Sequence, residues 1–317
     1  GFMSKYKLKN SIFFILWEGI KIYFSNIDKF LLYMLFPVFG QVIGIALSFG
    51  LSLGFADKVV QKADSPAVAL LMILLLAIPG LLIFAKAFWD YMVAYVALNS
   101  MTEGAVTTGK VYDLASHNEV ATQRGWKYIG FLIILSVLMS LGSSIFFIIP
   151  GFVLWIYFIL VFQIFTFEPD LSITDIFKRS FLLVKGNWAR TFILMAVLGF
   201  FSMYILTEGI TVVFDYLNLT ESASSIFNFI SNLIPLDLVN RILTHVNQPI
   251  ITNAMISKTI FVSVLGMIIS GLTLPIRSIC WSLWYKNLSD VKGADAEIVV
   301  SKPVRRVARK SRYEKED

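Results

Sequence analysis

The sequence predicts an all-α integral membrane protein with six transmembrane helices, and three observations predict it. Residues 128–167, between Lys127 and Glu168, run for forty positions without a charge. Hydrophobic residues make up 57% of the chain and charged residues 15%, where a soluble domain carries about 25% charge. The uncharged stretches also fall into six separate windows. Each is close to or above the roughly 17–20 residues that a helix needs to cross a hydrocarbon core about 30 Å thick.

Residues 1–29 carry five lysines and read as a cytoplasmic segment with an interfacial helix. The first span covers 30–56. Its Gly40, Gly44 and Gly50-x-x-x-Gly54 offer small-residue surfaces for close helix contact. The second span opens at Pro66 and stays uncharged to residue 85. The forty-residue run would make a helix about 60 Å long, twice the bilayer core. Pro150-Gly151 lies in its middle, so it reads as two spans, 128–149 and 151–167, folded back at that pair. The fifth span covers 191–207. The sixth covers 259–276 and extends toward residue 285. The spans group as three hairpins in a transmembrane domain of residues 30–285. A basic cytoplasmic tail, 286–317, follows and is expected to be disordered.

Orientation comes from the distribution of positive charge. Six spans put both termini on one side. Of the 27 lysines and arginines, 23 then fall on that side, and Lys58, Lys62, Arg241 and Lys258 fall on the other. Both termini are therefore expected in the cytoplasm and the spans in a bacterial inner membrane. Trp126, Trp188, Trp281 and Trp284 fall near the expected inner boundary, where amphipathic rings are favoured. The N-terminal stretch does not read as a signal peptide, because Glu18 and Lys21 interrupt its apolar run.

Each odd-numbered span follows a short mixed segment: 11–30, 111–131 and 171–192. Each segment gathers basic and aromatic residues before a Phe that opens the span. The pattern reads either as a loose threefold repeat or as the shared need of every inner-side approach for Lys, Arg and Trp. The third segment is the best defined. Pro169 stops the helix before it, and Ser172 with Asp175 forms a capping box. Ile173, Ile176, Phe177 and Val184 share a face with Ser180, while Thr174, Lys178 and Lys185 lie opposite, and Gly186 suits the C-terminal cap. Lys178, Lys185, Trp188 and Arg190 are the residues expected at the lipid headgroups.

The stretch from Ile149 to Gln163, IPGFVLWIYFILVFQ, and from Phe167 to Phe192, FEPDLSITDIFKRSFLLVKGNWARTF, resembles a group of bacterial polytopic membrane proteins. That group includes the membrane domain attached to some glycerophosphodiester phosphodiesterases, together with stand-alone relatives. The resemblance covers about a seventh of the chain. It rests on Pro150-Gly151, the acidic Glu168, Arg179-Ser180, and Lys185 to Trp188. It implies a six-helix, all-α bundle in the cytoplasmic membrane. Phosphodiesterase activity is not carried over, because no segment matches a catalytic domain.

Seven polar residues are candidates for function: Lys86, Asp90, Glu168, Arg179, Glu208, Asp215 and Arg277. Lys86 and Asp90 are four apart and can pair on one helix face. Lys86 also lies deep enough along its helix to snorkel to the headgroups. Glu208 and Asp215 either line a polar opening or mark where the membrane ends. Arg277 is an anchor on the positive side or a counter-ion to Asp90. The outer segment 215–258 includes a two-faced stretch, with Leu236, Val239, Leu243 and Val246 against Asp237, Asn240, Arg241 and Thr244. An interfacial helix and a lid both fit it.

The chemistry points away from catalysis. The single cysteine, Cys280, and the two separated histidines, His117 and His245, form no metal-ligand pattern. No G-x-S-x-G, H-E-x-x-H or P-loop motif occurs. No catalytic residue, cofactor or metal is expected. The favoured reading is a non-enzymatic scaffold, assembly factor or accessory subunit of a membrane complex. A transporter or lipid-handling protein is the alternative, and an intramembrane enzyme acting on lipid headgroups is a third. The expected partners are the bilayer, anionic lipid headgroups (the basic tail included) and another membrane protein. Nucleic acid is not expected, although a basic tail also fits an acidic partner or RNA.

Overall fold

The computed structural model describes residues 11–144 and 147–299. Among them every regular element is helical. In chain order the helices are α1 (Ile12–Ser25), α2 (Ile27–Gly54), α3 (Ala56–Lys62), α4 (Pro66–Thr108), α5 (Leu114–His117), α6 (Glu119–Thr122), α7 (Gly125–Gly142), α8 (Ile148–Tyr157) and α9 (Val161–Phe167). There follow α10 (Ile173–Val184), α11 (Trp188–Gly199), α12 (Leu206–Tyr216), α13 (Thr220–Ser225), α14 (Asn228–Ser231), α15 (Leu236–His245), α16 (Asn253–Leu272) and α17 (Leu274–Lys292). Six helical segments are long and apolar enough to cross a bilayer: 27–62, 66–108, 125–142, 148–167, 188–216 and 253–272. Their large apolar side chains face outward. In the most apolar window of α4 only 11% of residues are buried, which is the arrangement expected of a surface covered by lipid rather than water. The first ten residues and the basic tail beyond residue 299 lie outside the described residues.

The chain divides into two compact units, with breaks at Ala196/Val197 and Thr273/Leu274. In the larger unit α2 packs along α4, α7 along α8, and α1 along α17. The α2–α4 contact depends on glycine. A Cβ on Gly44 would lie 2.5 Å from the backbone nitrogen of Phe84 and 2.7 Å from the carbonyl oxygen of Gly80. One on Gly80 would run into the backbone of Ser48. The two main chains therefore touch at this crossing. Gly50 and Gly54 face open space and do not contribute, although their spacing invited that expectation.

Pro79-Gly80 does not interrupt its helix, and neither does Pro37. Both prolines lie inside continuous helices. At 43 residues α4 is about 64 Å long, more than twice the bilayer core. Its second half is buried almost throughout, from Val93 to Val106, so the helix leaves its apolar window and becomes the core of the unit. The C-terminal cap is Gly109 at φ 82°.

The forty-residue run is divided, but not at Pro150-Gly151. The helices end at Gly142 and resume at Ile148, and Pro150 sits in the first turn of α8, where its missing donor costs nothing. Gly151 instead packs against Gly142, whose Cβ would lie 3.2 Å from the Gly151 Cα. The lead-in to α7 is tied to the far end of the run. The Lys127 ammonium donates to the carbonyls of Pro169, at 3.2 Å, and Leu171. Arg124 stacks over Phe165 at 4.3 Å.

The three lead-in segments differ. The first is one helix, α1, the second is two single turns, α5 and α6, and the third is α10. In α10 the Ser172 hydroxyl accepts from the Asp175 backbone N–H at 3.3 Å, and Gly186 closes the far end at φ 83°. Trp281 and Trp284, expected near the inner boundary, do not face outward. Both are buried on α17, and Trp284 donates to the Thr191 hydroxyl at 3.1 Å. An indole with a partner inside the fold has no need of a wet boundary. Trp126, by contrast, is 89% exposed. Helix α17 also continues past Tyr285 to Lys292, so the ordered chain reaches further into 286–317 than its composition implied.

In the smaller unit, one turn of π-helix at Phe200–Ile205 joins α11 to α12. The widened turn leaves the Ser202 carbonyl to the Thr273 hydroxyl, at 3.1 Å. Residues 217–252 are α13, α14 and α15 rather than an open loop. Asn240 pins α15 by two hydrogen bonds to the backbone of Ile251, donating to its carbonyl at 2.9 Å and accepting from its N–H at 2.7 Å. Val246, expected on the apolar face, is exposed, while Leu236, Val239 and Leu243 are half-buried.

The glycine crossing yields a paired expectation. Gly80→Ala forces the α2 and α4 backbones apart and lowers stability by about 1–3 kcal/mol. Gly50→Ala leaves stability unchanged or raises it by up to about 1 kcal/mol. Thermal unfolding of both variants in detergent checks the pair, and equal effects would contradict the crossing.

Candidate functional site

The structure gathers buried polar side chains where the second half of α4 meets α9, α10 and α17. The fourth span is the origin of this cluster. Its helix breaks between Tyr157 and Val161, which leaves backbone groups without helical partners. Ser180, fully buried on α10, supplies both missing bonds. Its hydroxyl donates to the Tyr157 carbonyl at 2.7 Å and accepts from the Leu160 N–H at 3.3 Å. A serine in mid-helix usually weakens the helix that carries it. Here it repairs a different one.

Beyond the break, Gln163 and Thr166 point into α4 and α17. The Asn99 amide donates to the Tyr95 carbonyl at 3.0 Å and to the Thr166 hydroxyl at 3.1 Å. Its carbonyl oxygen accepts from Gln163 Nε2 at 3.2 Å and from the Ser282 hydroxyl at 3.0 Å. The four residues are each at most 4% exposed. Asn99 thus uses two donor and two acceptor positions to join three helices. Gln163 Oε1 is buried with no hydrogen-bond partner.

Next to this network lies an ion-paired cluster. The Glu168 carboxylate accepts from Arg179 Nε at 3.1 Å and from the Tyr285 hydroxyl at 3.0 Å. Arg179 also donates through Nη1 to the Ala296 carbonyl. Burial, and next the Glu168 charge, raise the Tyr285 phenol above its usual pKa, so it stays protonated and remains a donor. The Phe167 ring stacks on Tyr285 at 5.3 Å. His117, fully buried, is held through both nitrogens, 2.9 Å from the Ser100 hydroxyl and 3.1 Å from the Tyr112 carbonyl. The carbonyl needs a donor, so Nε2 carries the proton in the neutral ring.

Of the seven candidates, Glu168 and Arg179 are brought together. Lys86 and Asp90 also pair, at 2.6 Å, with Lys86 at 64% exposure and Asp90 at 26%. This is a surface pair of little energetic weight. Asp90 therefore takes Lys86 as its partner, while Arg277 lies within electrostatic reach of Tyr91 and Tyr95. Glu208 and Asp215 stand exposed on α12, and Asp215 accepts from the Thr220 hydroxyl at 2.5 Å. Lys178, Lys185 and Arg190 are exposed, and Trp188 donates to the Val153 carbonyl at 3.2 Å.

Sequence reasoning missed Asn99, Gln163, Ser282 and Tyr285. One signal was present: Gln163 is the lone carboxamide in the forty-residue uncharged run. The arrangement can hold helices in register, and its polar atoms are mostly turned on one another. Among the described residues no group of three His, Cys, Asp or Glu side chains is placed to hold a metal ion.

Ser180→Ala strands two buried backbone groups and is expected to lower stability by about 1–3 kcal/mol. For the pair Glu168→Gln and Arg179→Met, a double-mutant cycle on thermal stability is expected to show coupling above about 1 kcal/mol. Additive effects would mean that the two side chains are not coupled. Compared with known protein families, with curated proteins and with solved structures, the chain matches none of them.

Proposed function

We propose that this chain is a non-enzymatic multi-pass protein of the bacterial cytoplasmic membrane, acting as a scaffold, assembly factor or accessory subunit of a membrane complex. The observation that carries this reading is the pairing of the Glu168 and Arg179 charges with each other and with the chain's own groups. Glu168 is taken by Arg179 and Tyr285, and Arg179 by the chain's own Ala296 carbonyl. Ionisable groups poised for proton transfer or for substrate are generally held at an accessible cleft with bonding positions left open to a ligand. These groups instead fasten helices together.

In this reading the six apolar segments form three hairpins with both termini in the cytoplasm. The 23-to-4 division of lysine and arginine supports that orientation. Helices α1 and α10 are interfacial. Phe13, Trp17 and Phe24 project from α1 away from its buried face, and Lys178 and Lys185 project from α10. The basic tail binds anionic headgroups. The relationship to the membrane domain of glycerophosphodiester phosphodiesterases belongs to the same proposal and rests on the 149–192 sequence pattern. The transporter alternative has one observation in its favour, the interrupted span at residues 158–160, because transporter sites are built on broken helices. The Ser180 hydroxyl already occupies that break.

Cys280 makes topology easy to test. It is the single cysteine, it is buried, and burial pushes its thiol up to about 12, so it reacts little with maleimides. On intact cells stripped of their outer barrier, a membrane-impermeant maleimide is expected to label Gln61→Cys. Lys178→Cys is expected to react only after permeabilisation. Labelling of both from the same side would overturn the orientation. For function, the full chain purified gently from its native membrane is expected to carry a stoichiometric protein partner. A solitary, monodisperse protein stabilised by a small solute would favour transport.

A further inference from the structure

We propose that α3 and the first turns of α4 form a binding site for one anionic glycerophospholipid of the surrounding bilayer. A cavity of about 580 Å³ lies between them, lined by Phe55, Lys58, Val59, Lys62, Met72, Leu75 and Leu76. Its volume falls in the range of small-molecule pockets. Its lining separates by depth. Lys58 and Lys62 are one helical turn apart on α3, so both ammonium groups reach the same rim. Met72, Leu75 and Leu76 form an i, i+3, i+4 stripe on α4. Leu76 lies ten residues past Pro66, about 15 Å along the helix from its start.

In the membrane reading proposed above, on which this inference rests, α3 connects two apolar helices at the bilayer boundary. The two lysines then stand at the headgroup level, and the apolar stripe descends along the acyl chains. The cavity is therefore basic at the depth of the phosphate and apolar at the depth of the tail. That combination matches a phosphodiester with an acyl chain beneath it. Lys58 is partly fixed, 5.7 Å from the centre of the Phe55 ring. Asp57 and Asp64 are exposed in the same segment, but neither lines the cavity, so the charge inside the rim comes from the lysines. The four lysines and arginines expected on this side include only these two in the 57–65 connection, which makes the site distinct from the general excess of basic residues on the opposite side.

Native mass spectrometry of the full chain, released from nanodiscs containing phosphatidylglycerol and phosphatidylcholine, tests the site. One phosphatidylglycerol is expected to stay bound in preference to phosphatidylcholine. Two lysines near a lipid surface are each expected to strengthen anionic binding several-fold, so Lys58→Gln with Lys62→Gln should reduce retention about tenfold or more. Leu75→Trp fills the tail region and should reduce retention of both lipids, while Arg241→Gln with Lys258→Gln, two exposed charges that do not line the cavity, should change nothing. Equal retention of the two lipids, or retention unaffected by both cavity variants, would overturn the site. Thermal unfolding of each variant separates loss of binding from loss of folding. Alkaline carbonate extraction separates the two readings. A chain that stays in the pellet but shows no selective lipid keeps its membrane assignment and loses the site, whereas release from the pellet removes the membrane assignment itself.

Discussion

A helix that breaks within an apolar environment must find partners for the backbone groups it exposes, since no water is there to take them. In this chain one hydroxyl meets that requirement. Ser180 bonds the Tyr157 carbonyl and the Leu160 N–H, one on each side of the break in the fourth span. The rest of the inner core follows from this contact. It sets α10 against α8 and α9 and places Arg179, the preceding residue, beside Glu168. It also turns α9 so that Gln163 and Thr166 face Asn99. Without the break, a straight helix would carry these groups in another direction.

The same requirement explains the division of labour along α4. Its first half presents leucines outward and touches α2 through Gly44 and Gly80, where contact between main chains replaces side-chain packing. Its second half is surrounded by protein and carries Asn99, Ser100 and Thr102. Once buried, such side chains are costly if unpaired and specific if paired. Asn99 uses two donor and two acceptor positions and so fixes the mutual rotation of α4, α9 and α17. A leucine of similar size would pack there but would not dictate register.

Electrostatics here serves assembly. Glu168 and Arg179 form a pair that is mostly buried, with Tyr285 and the Ala296 carbonyl taking the remaining bonds. A buried pair of this kind is weak as a source of net stability and strong as a constraint, because removing either partner leaves the other uncompensated. The pair Lys86–Asp90, four residues apart where Glu168 and Arg179 are eleven, is open to its surroundings and constrains little. Sequence distance gave no way to rank the two. Burial ranks them at once.

The sequence alone determined where the apolar helices lie, because a rise of 1.5 Å per residue against a core of about 30 Å makes their lengths arithmetic. It also determined the start and end of α10, since Ser172, Asp175 and Gly186 act within a few residues of one another. The tertiary structure decided what no local rule contains. It divided the forty-residue run before Pro150, used Gly80 for a contact between main chains, and buried Trp281 and Trp284 inside the fold. It also joined Asn99 to Ser282 and Glu168 to Tyr285, residues widely separated along the chain. Hydropathy reports how readily a segment leaves water, and it is nearly the same for a helix facing lipid and a helix facing protein. Which polar atom meets which depends on the rotation and crossing of helices, and those are settled only when the helices pack.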